Sequence, residues 1–425
     1  MKIRKIIITL TLVFALLPMG KSFACTTAVI SGKYTADGRP MIWKLRDTDD
    51  LENRLQYFTD GKYTYIGLVN AKDILGQQVW AGVNATGFAI MNSASFNVNL
   101  DYKGNKANME GEFMKRALQT CATLKDFEEM LRKEPRPMGL AAHFGVIDAQ
   151  GGAAFYEVNN ETFTKFDAND AAQAPNGYII RTNFSFTGKK DVGYGFIRYQ
   201  IAQDNFYNAD AMGNISYKGI LQDFTRTFKH PVLKKNFREE YSAIPYGENF
   251  ITAEDLTTRS GTSSNIVIQG VKKGENPELA TMWTHIGFPN TCLALPAWVK
   301  GGDNLPSVLV KGKNNNAPLN DMALQLKKEC YPIGRSDGGK FLLISKLFNR
   351  EGTGFIQKLE PVEKEIFAKT EEKLKQWREK TPSVAEIKEY YNWLDNLTLK
   401  TYDKEFNVKP YQPKAGANYS VINND

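Results

Sequence analysis

Readable patterning begins at residue 25. Residues 25–31 alternate in the way of a half-buried strand, 33–38 carry turn chemistry in Asp37-Gly38, and 40–46 read as a second strand. A hairpin with that loop sets residues 31–32 against 39–40, Thr27 opposite Lys44 and Cys25 opposite Arg46. Residues 79–92 predict another hairpin that turns between Asn84 and Gly87. Residues 139–157 form two apolar strands around Asp148 to Gly152, and 178–183 a strand that ends in Thr182-Asn183. Helical periodicity covers 110–133, with Thr123 or Asp126 capping a break, and 191–205. Strands return at 265–271, 280–285 and 291–298. From Leu319 the chain is mainly helical. Thr381-Pro382-Ser383 followed by Glu386 marks one helix start, and Ile366, Thr370, Leu374 and Trp377 fall on one helical face.

Composition changes this picture little. The 425 residues, 42% hydrophobic and 24% charged, are enough for two or three domains or one large one, and exclude collagen-like, disordered and disulfide-dense classes. The formal charge of +7 invites a nucleic-acid reading. Four of the basic residues, Lys2, Arg4, Lys5 and Lys21, precede residue 25 and no acid does, so the rest of the chain carries only +3. That balance supports no nucleic-acid partner.

The first 24 residues have their own pattern. A basic start leads into an apolar run from Ile6 to Leu17, then Pro18, Gly20 and Ser22-Phe23-Ala24. This is the pattern of a secretory signal peptide cut before Cys25, and the run is short of the ~20 residues that a spanning helix needs. The expectation is an exported protein, periplasmic or extracellular, with no transmembrane segment after cleavage.

A cysteine at such a junction serves one of two chemistries. One is lipidation of the thiol. The other is N-terminal nucleophile catalysis, in which the freed α-amine acts as base for its own side chain. Phe23 beside the junction fits lipidation poorly. In the predicted register Lys44 lies diagonally across from Cys25 on the same face, ~7–8 Å between β-carbons. A cation at that place favours a thiolate. Asp47 at the strand end is placed to hold the α-amine by a charge-assisted hydrogen bond.

Cys25-Thr26, the Asp37-Gly38 turn and a basic residue three before Asp47 resemble the choloylglycine hydrolase superfamily of N-terminal-nucleophile hydrolases, with its penicillin V acylases and acyl-coenzyme A:6-aminopenicillanic acid acyltransferases. The resemblance implies a Cys, Arg, Asp set at Cys25, Lys44 and Asp47. Lys44 stands where Arg is usual and Leu45 where Asn is common, so the guanidinium role falls to Lys44 or to Arg46. It also implies an oxyanion-contacting Asn at Asn92, with Asn97 in reserve, a substrate- or oxyanion-contacting Asn at Asn183, and an active-site Arg at Arg198, with Arg259 as rival. The implied activity is cleavage of a linear amide C–N bond in a small N-acyl compound through a thioester, without a cofactor. Acyl transfer on the same fold is the alternative, and a lipidated, non-catalytic protein the other. The implied fold is an α+β, four-layer α-β-β-α sandwich of antiparallel sheets over residues 25–318, with a mainly helical extension over 319–425 packed on it. A homo-oligomer is compatible with all of this.

Other chemistries lack support in the sequence. His143, His230 and His285 have no metal-ligand spacing, and His143 sits on an apolar strand as a core residue does. With Cys25 set aside, Cys121, Cys292 and Cys330 form at most one disulfide and read as small buried hydrophobes.

Overall fold

The computed structural model describes residues 24–411. The segment expected to be a signal peptide therefore lies outside the described residues, apart from Ala24. Two antiparallel sheets pack face to face. The first has six strands. Its middle is the expected hairpin, β1 (Thr26–Ile30) and β2 (Met41–Asp47), joined through Gly38 at φ +76°, a conformation that glycine adopts without strain. Thr27 pairs with Lys44 and Ile30 with Met41, the register read from the sequence.

The second sheet is a seven-stranded meander: β3 (Asn53–Phe58), β4 (Tyr65–Asn70), β5 (Ala81–Asn84), β6 (Ala89–Ala94), β7 (Ala142–Ile147), β8 (Ala153–Val158) and β9 (Phe163–Asp167). Its strands β3, β4 and β9 were not read from the sequence. β10 (Tyr178–Arg181) returns to the first sheet beside β1, and Thr262–Gln269, Thr281–His285 and Leu295–Ala297 complete that sheet on the far side of β2. The last of these strands is shorter than expected, because Pro289–Thr291 forms a 3₁₀ turn.

Helices cover both outer faces. α1 (Glu110–Thr120) and α2 (Leu124–Lys133) lie on the meander, where Phe113 and Phe127 meet Phe144, and Phe127 meets Tyr156. The expected break between them is a capping box of Thr123 and Asp126. α3 (Phe196–Ala211) covers the first sheet, with Phe206 against Trp43. It starts later than the sequence suggested, because Gly193 (φ +112°) and Gly195 (φ +86°) hold left-handed backbone just before it.

The C-terminal segment forms helices Pro318–Cys330, Phe355–Glu379 and Val384–Phe406, the last capped by Ser383 and Glu386. The short strand Phe341–Leu343 interrupts them and pairs with Phe250–Thr252. Ile366, Leu374, Trp377 and Tyr402 share one continuous apolar core with β1 and β2. The extension is thus packed into the same core as the sandwich. No helix among the described residues is long and apolar enough to cross a membrane. The four cysteines are free and buried, and burial pushes the thiols of Cys121 and Cys292 up, to about 11 and about 12.

Candidate active site

Strand alternation decides which side chains of β2 meet the second sheet. Trp43 faces outward to Phe206 and Phe224, so Lys44 and Arg46 face inward. β1 follows the same rule: Thr27 Oγ1 lies 3.3 Å from Ser93 Oγ of the opposing sheet. Cys25 shares the parity of Thr27. It therefore stands at the inner end of the hairpin, where a pocket of about 620 Å³ opens, lined among others by Cys25, Lys44, Arg46, Asp47, Trp80 and Asn92.

Residues far away in the chain hold the backbone of Cys25. Its N–H donates to Asn183 Oδ1 at 2.8 Å. Arg198 Nη2 donates to the same oxygen at 2.9 Å, and Arg198 Nη1 donates to Cys25 O at 2.6 Å and Thr26 Oγ1 at 3.0 Å. Asn183 Nδ2 donates to Ala94 O. Gly195 makes room for this, since a Cβ there would collide with the Arg198 guanidinium. Arg198 is buried, and desolvation, with Arg259 nearby, lowers its pKa to about 10.

Two expected roles change on this geometry. Asn183 was expected to contact the substrate or the oxyanion, yet its oxygen accepts from Cys25 N and its nitrogen is spent on Ala94 O. Asp47 was expected to hold the Cys25 nitrogen. Instead it accepts from Arg259 Nε at 3.0 Å and Nη2 at 2.8 Å and from Thr262 Oγ1 at 2.6 Å. A carboxylate with a bidentate arginine beside it is satisfied there. Arg198 does not face the pocket as a substrate ligand would; it clamps the nucleophile's own residue. Arg259 is the partner of Asp47.

Lys44 and Arg46 differ in what they touch. Lys44 Nζ donates to Asn92 Oδ1 at 2.6 Å and Trp80 O at 2.8 Å. Arg46 donates to Asn53 Oδ1 at 2.8 Å and Asn70 Oδ1 at 2.9 Å, and its guanidinium carbon lies 4.9 Å from the centre of the Trp80 ring. All these acceptors are uncharged. Burial lowers both cations, Lys44 to about 7 and Arg46 to about 10; Cys25 acts in the opposite sense on each, and Arg46 depresses Lys44 further. Asn92 lies one residue beyond the last β5–β6 pair, Ala81 with Met91, so the sheet is open beside it. With its oxygen taken by Lys44, the group it offers the pocket is the amide NH₂. Asn97, the reserve, is consumed by Ser95, Ser185 and Lys189.

The extension braces this arrangement. Asn316 Oδ1 accepts from Asn53 N at 2.9 Å, Asn320 Nδ2 donates to Leu51 O at 2.9 Å, and Lys327 Nζ donates to Ser260 O beside Arg259. None of these was legible in the sequence. His143 is the satisfied core residue expected, between Ser93 Oγ and Ser185 Oγ, with burial lowering it to about 3.

Comparison with known proteins bears on the fold and on part of the chain. A family model, acyl-coenzyme A:6-aminopenicillanic acid acyl-transferase, matches residues 46–206, so the match starts after Cys25 and Lys44. No match was found among curated proteins. Solved structures with similarity include a Caenorhabditis elegans N-acylethanolamine-hydrolyzing acid amidase ortholog, at 14% identity over 57% of this chain and 92% of that one, TM-score 0.38. A variant of conjugated bile acid hydrolase from Clostridium perfringens matches at 13% identity over 64% and 92%, TM-score 0.39. Penicillin V acylase from Agrobacterium tumefaciens matches at 14% over 64% and 86%, TM-score 0.35. The family model bears out the resemblance over residues 46–206, and the structure has the expected α+β arrangement of two packed antiparallel sheets with helices on both outer faces.

Proposed function

We propose that the chain is an exported hydrolase of linear amide bonds in small N-acyl compounds, with Cys25 as its N-terminal nucleophile. The observation that carries this reading is the setting of Cys25: its nitrogen anchored by Asn183 under Arg198, and two buried cations sharing its pocket. Ala24, the residue before it, is buried, and cleavage of Ala24–Cys25 turns the peptide nitrogen into an amine.

The freed amine is neutral in useful part near its usual ~7.7–8.0. It takes the thiol proton, and the sulfur attacks the amide carbonyl carbon. The Asn92 amide donates to the oxygen as it gains charge. The C–N bond breaks as the ammonium returns its proton to the leaving nitrogen, leaving a thioester on Cys25. Water then adds to the thioester, the C–S bond breaks, and the acid leaves.

Acyl transfer is the second reading, favoured by the family model that matches; there an amine replaces water in the last step. Brief incubation of the mature protein with p-nitrophenyl octanoate and acid quenching separates these readings from a lipidated protein. An octanoyl group on Cys25 that hydroxylamine removes supports the nucleophile, and added amines then divide hydrolysis from transfer. A diacylglyceryl group on Cys25 and no acylation by the ester contradict both.

A further inference from the structure

The reaction moves protons at two places, the thiol and the leaving nitrogen, and the reading above gives both to the α-amine. The two sides of Cys25 are not equally suited to that work. On one side its nitrogen points into Asn183 Oδ1, an oxygen already engaged by the Arg198 guanidinium, which also sits on Cys25 O. A permanent cation so near makes a positive charge on the α-nitrogen costly.

On the other side stands Lys44. Its ε-nitrogen has two acceptors, Trp80 O and Asn92 Oδ1. A neutral amine has two N–H bonds and satisfies both, and the fourth tetrahedral position, lone pair or third N–H, is left for the pocket that Cys25 also lines. Neither protonation state therefore breaks a hydrogen bond. An arginine in this place would remain charged throughout.

We propose, resting on the reading of Cys25 as nucleophile, that Lys44 is the proton acceptor for the thiol and the proton donor to the leaving nitrogen, while the α-amine stays neutral against Asn183. The neutral ε-amine takes the S–H proton and becomes an ammonium beside the thiolate, so one side chain both removes the proton and supplies the countercharge. As the C–N bond breaks the ammonium gives that proton to the leaving nitrogen; the neutral ε-amine then takes a proton from the water that adds to the thioester and returns it to sulfur as the C–S bond breaks.

The charged surroundings suit a group that exchanges its proton near neutrality. Burial opposes the ammonium, Cys25 favours it and Arg46, on the same strand, repels it, and the balance holds Lys44 at about 7. Of the acids that line the pocket, Asp47 is held by Arg259 and Glu110 accepts from Ala141 N, while Asp50, which faces Lys72 at 2.9 Å, and Asp49 act on Arg46; Lys72 and Lys106 also line the pocket.

Lys44→Arg is the discriminating variant, because it keeps the charge and removes the exchange. Amide turnover is expected to fall about 10²-fold or more, while iodoacetamide still alkylates Cys25 at the pH where it alkylates the parent. Lys44→Met is expected to lose turnover and to shift alkylation to higher pH. Lys44→Arg with near-parental turnover overturns the proposal and leaves Lys44 a fixed countercharge. Should Lys44→Arg lose both properties, NMR of the parent protein with ¹³C-labelled lysine decides. A Lys44 signal that titrates near pH 7 and moves on alkylation of Cys25 supports the role, and one that stays cationic to pH 10 overturns it. If Cys25→Ser still cleaves amides, it is the underlying reading that fails.

Discussion

Two of the buried charge clusters among the described residues are built in opposite ways. Behind the first sheet Arg226 meets Glu363 of helix Phe355–Glu379 at 2.7 and 2.8 Å, and also donates to Pro289 O and Cys292 O. His285 and Ala294 N complete the ring around Glu363. Each charge there has its opposite: Arg226 is raised, and Glu363 is pulled down to about 2 by Arg226 and His285 against its own desolvation. In the pocket, the hydrogen-bond acceptors of Lys44 and Arg46 among the described residues are amide and carbonyl oxygens, and burial lowers both, with Asp50 and Asp49 acting on Arg46 in the opposite sense. The first cluster is electrically closed and ties the extension to the sheet. The second leaves positive charge unspent beside a thiol. Buried pairs that are closed hold structure, whereas buried cations facing neutral partners are poised for a charge that arrives during reaction.

The largest effect that separates the two regions belongs to Cys25→Ser. Amide cleavage should fall on the order of 10³-fold or more, since serine is the weaker nucleophile there, with an unchanged circular dichroism spectrum. Activity close to the parent would move the nucleophile elsewhere.

Glu363→Ala should do the reverse. Leaving Arg226 buried and unpaired costs about 3–5 kcal/mol, read by urea unfolding, while protein that remains folded still acylates Cys25. The pH dependence follows from the sign of the shift. Glu363 is depressed in the folded state, so its contribution is complete above the usual glutamate value of 4.5 and is lost as pH falls toward about 2. The parent's stability should therefore drop more steeply between those limits than that of Glu363→Gln.

Much of the pocket was legible because it is local. A tight Asp37-Gly38 turn fixes the hairpin register, and strand alternation then puts Cys25, Lys44 and Arg46 on one face. The caps at Thr123 and Ser383 were legible for the same reason. What holds the pocket was not. Asn183 reaches Cys25 N across 158 residues, and Arg259 reaches Asp47 across 212. Such pairings leave no period in the sequence, so Asn183 reads there as a substrate or oxyanion contact and Asp47 as the amine's partner. The strands β3 and β4, which supply Asn53 and Asn70, were missed although they place Arg46.

Two smaller effects sharpen the comparison. Asn183→Ala removes the acceptor of the Cys25 nitrogen and one partner of Arg198, and turnover should fall about 10- to 100-fold, in line with ~1–3 kcal/mol for a buried polar group left unpaired. Unaltered kinetics would make that anchor structural. Asn316→Ala should cost ~1 kcal/mol in urea unfolding and lower turnover only a few-fold, through Asn53 and Arg46. An effect on turnover as large as that of Asn183→Ala would place the extension inside the catalytic machinery.

The central claim is that a mature chain beginning at Cys25 carries the acyl group on that residue. Intact-mass and peptide analysis of the exported protein, before and after a short exposure to p-nitrophenyl octanoate, tests it most directly. The account predicts an unmodified N-terminal Cys25 that gains one octanoyl group on sulfur, and no acyl transfer from amide substrates while Ala24 remains attached. A chain that turns over amides with Ala24 in place, or that carries the acyl group on any other residue, contradicts it.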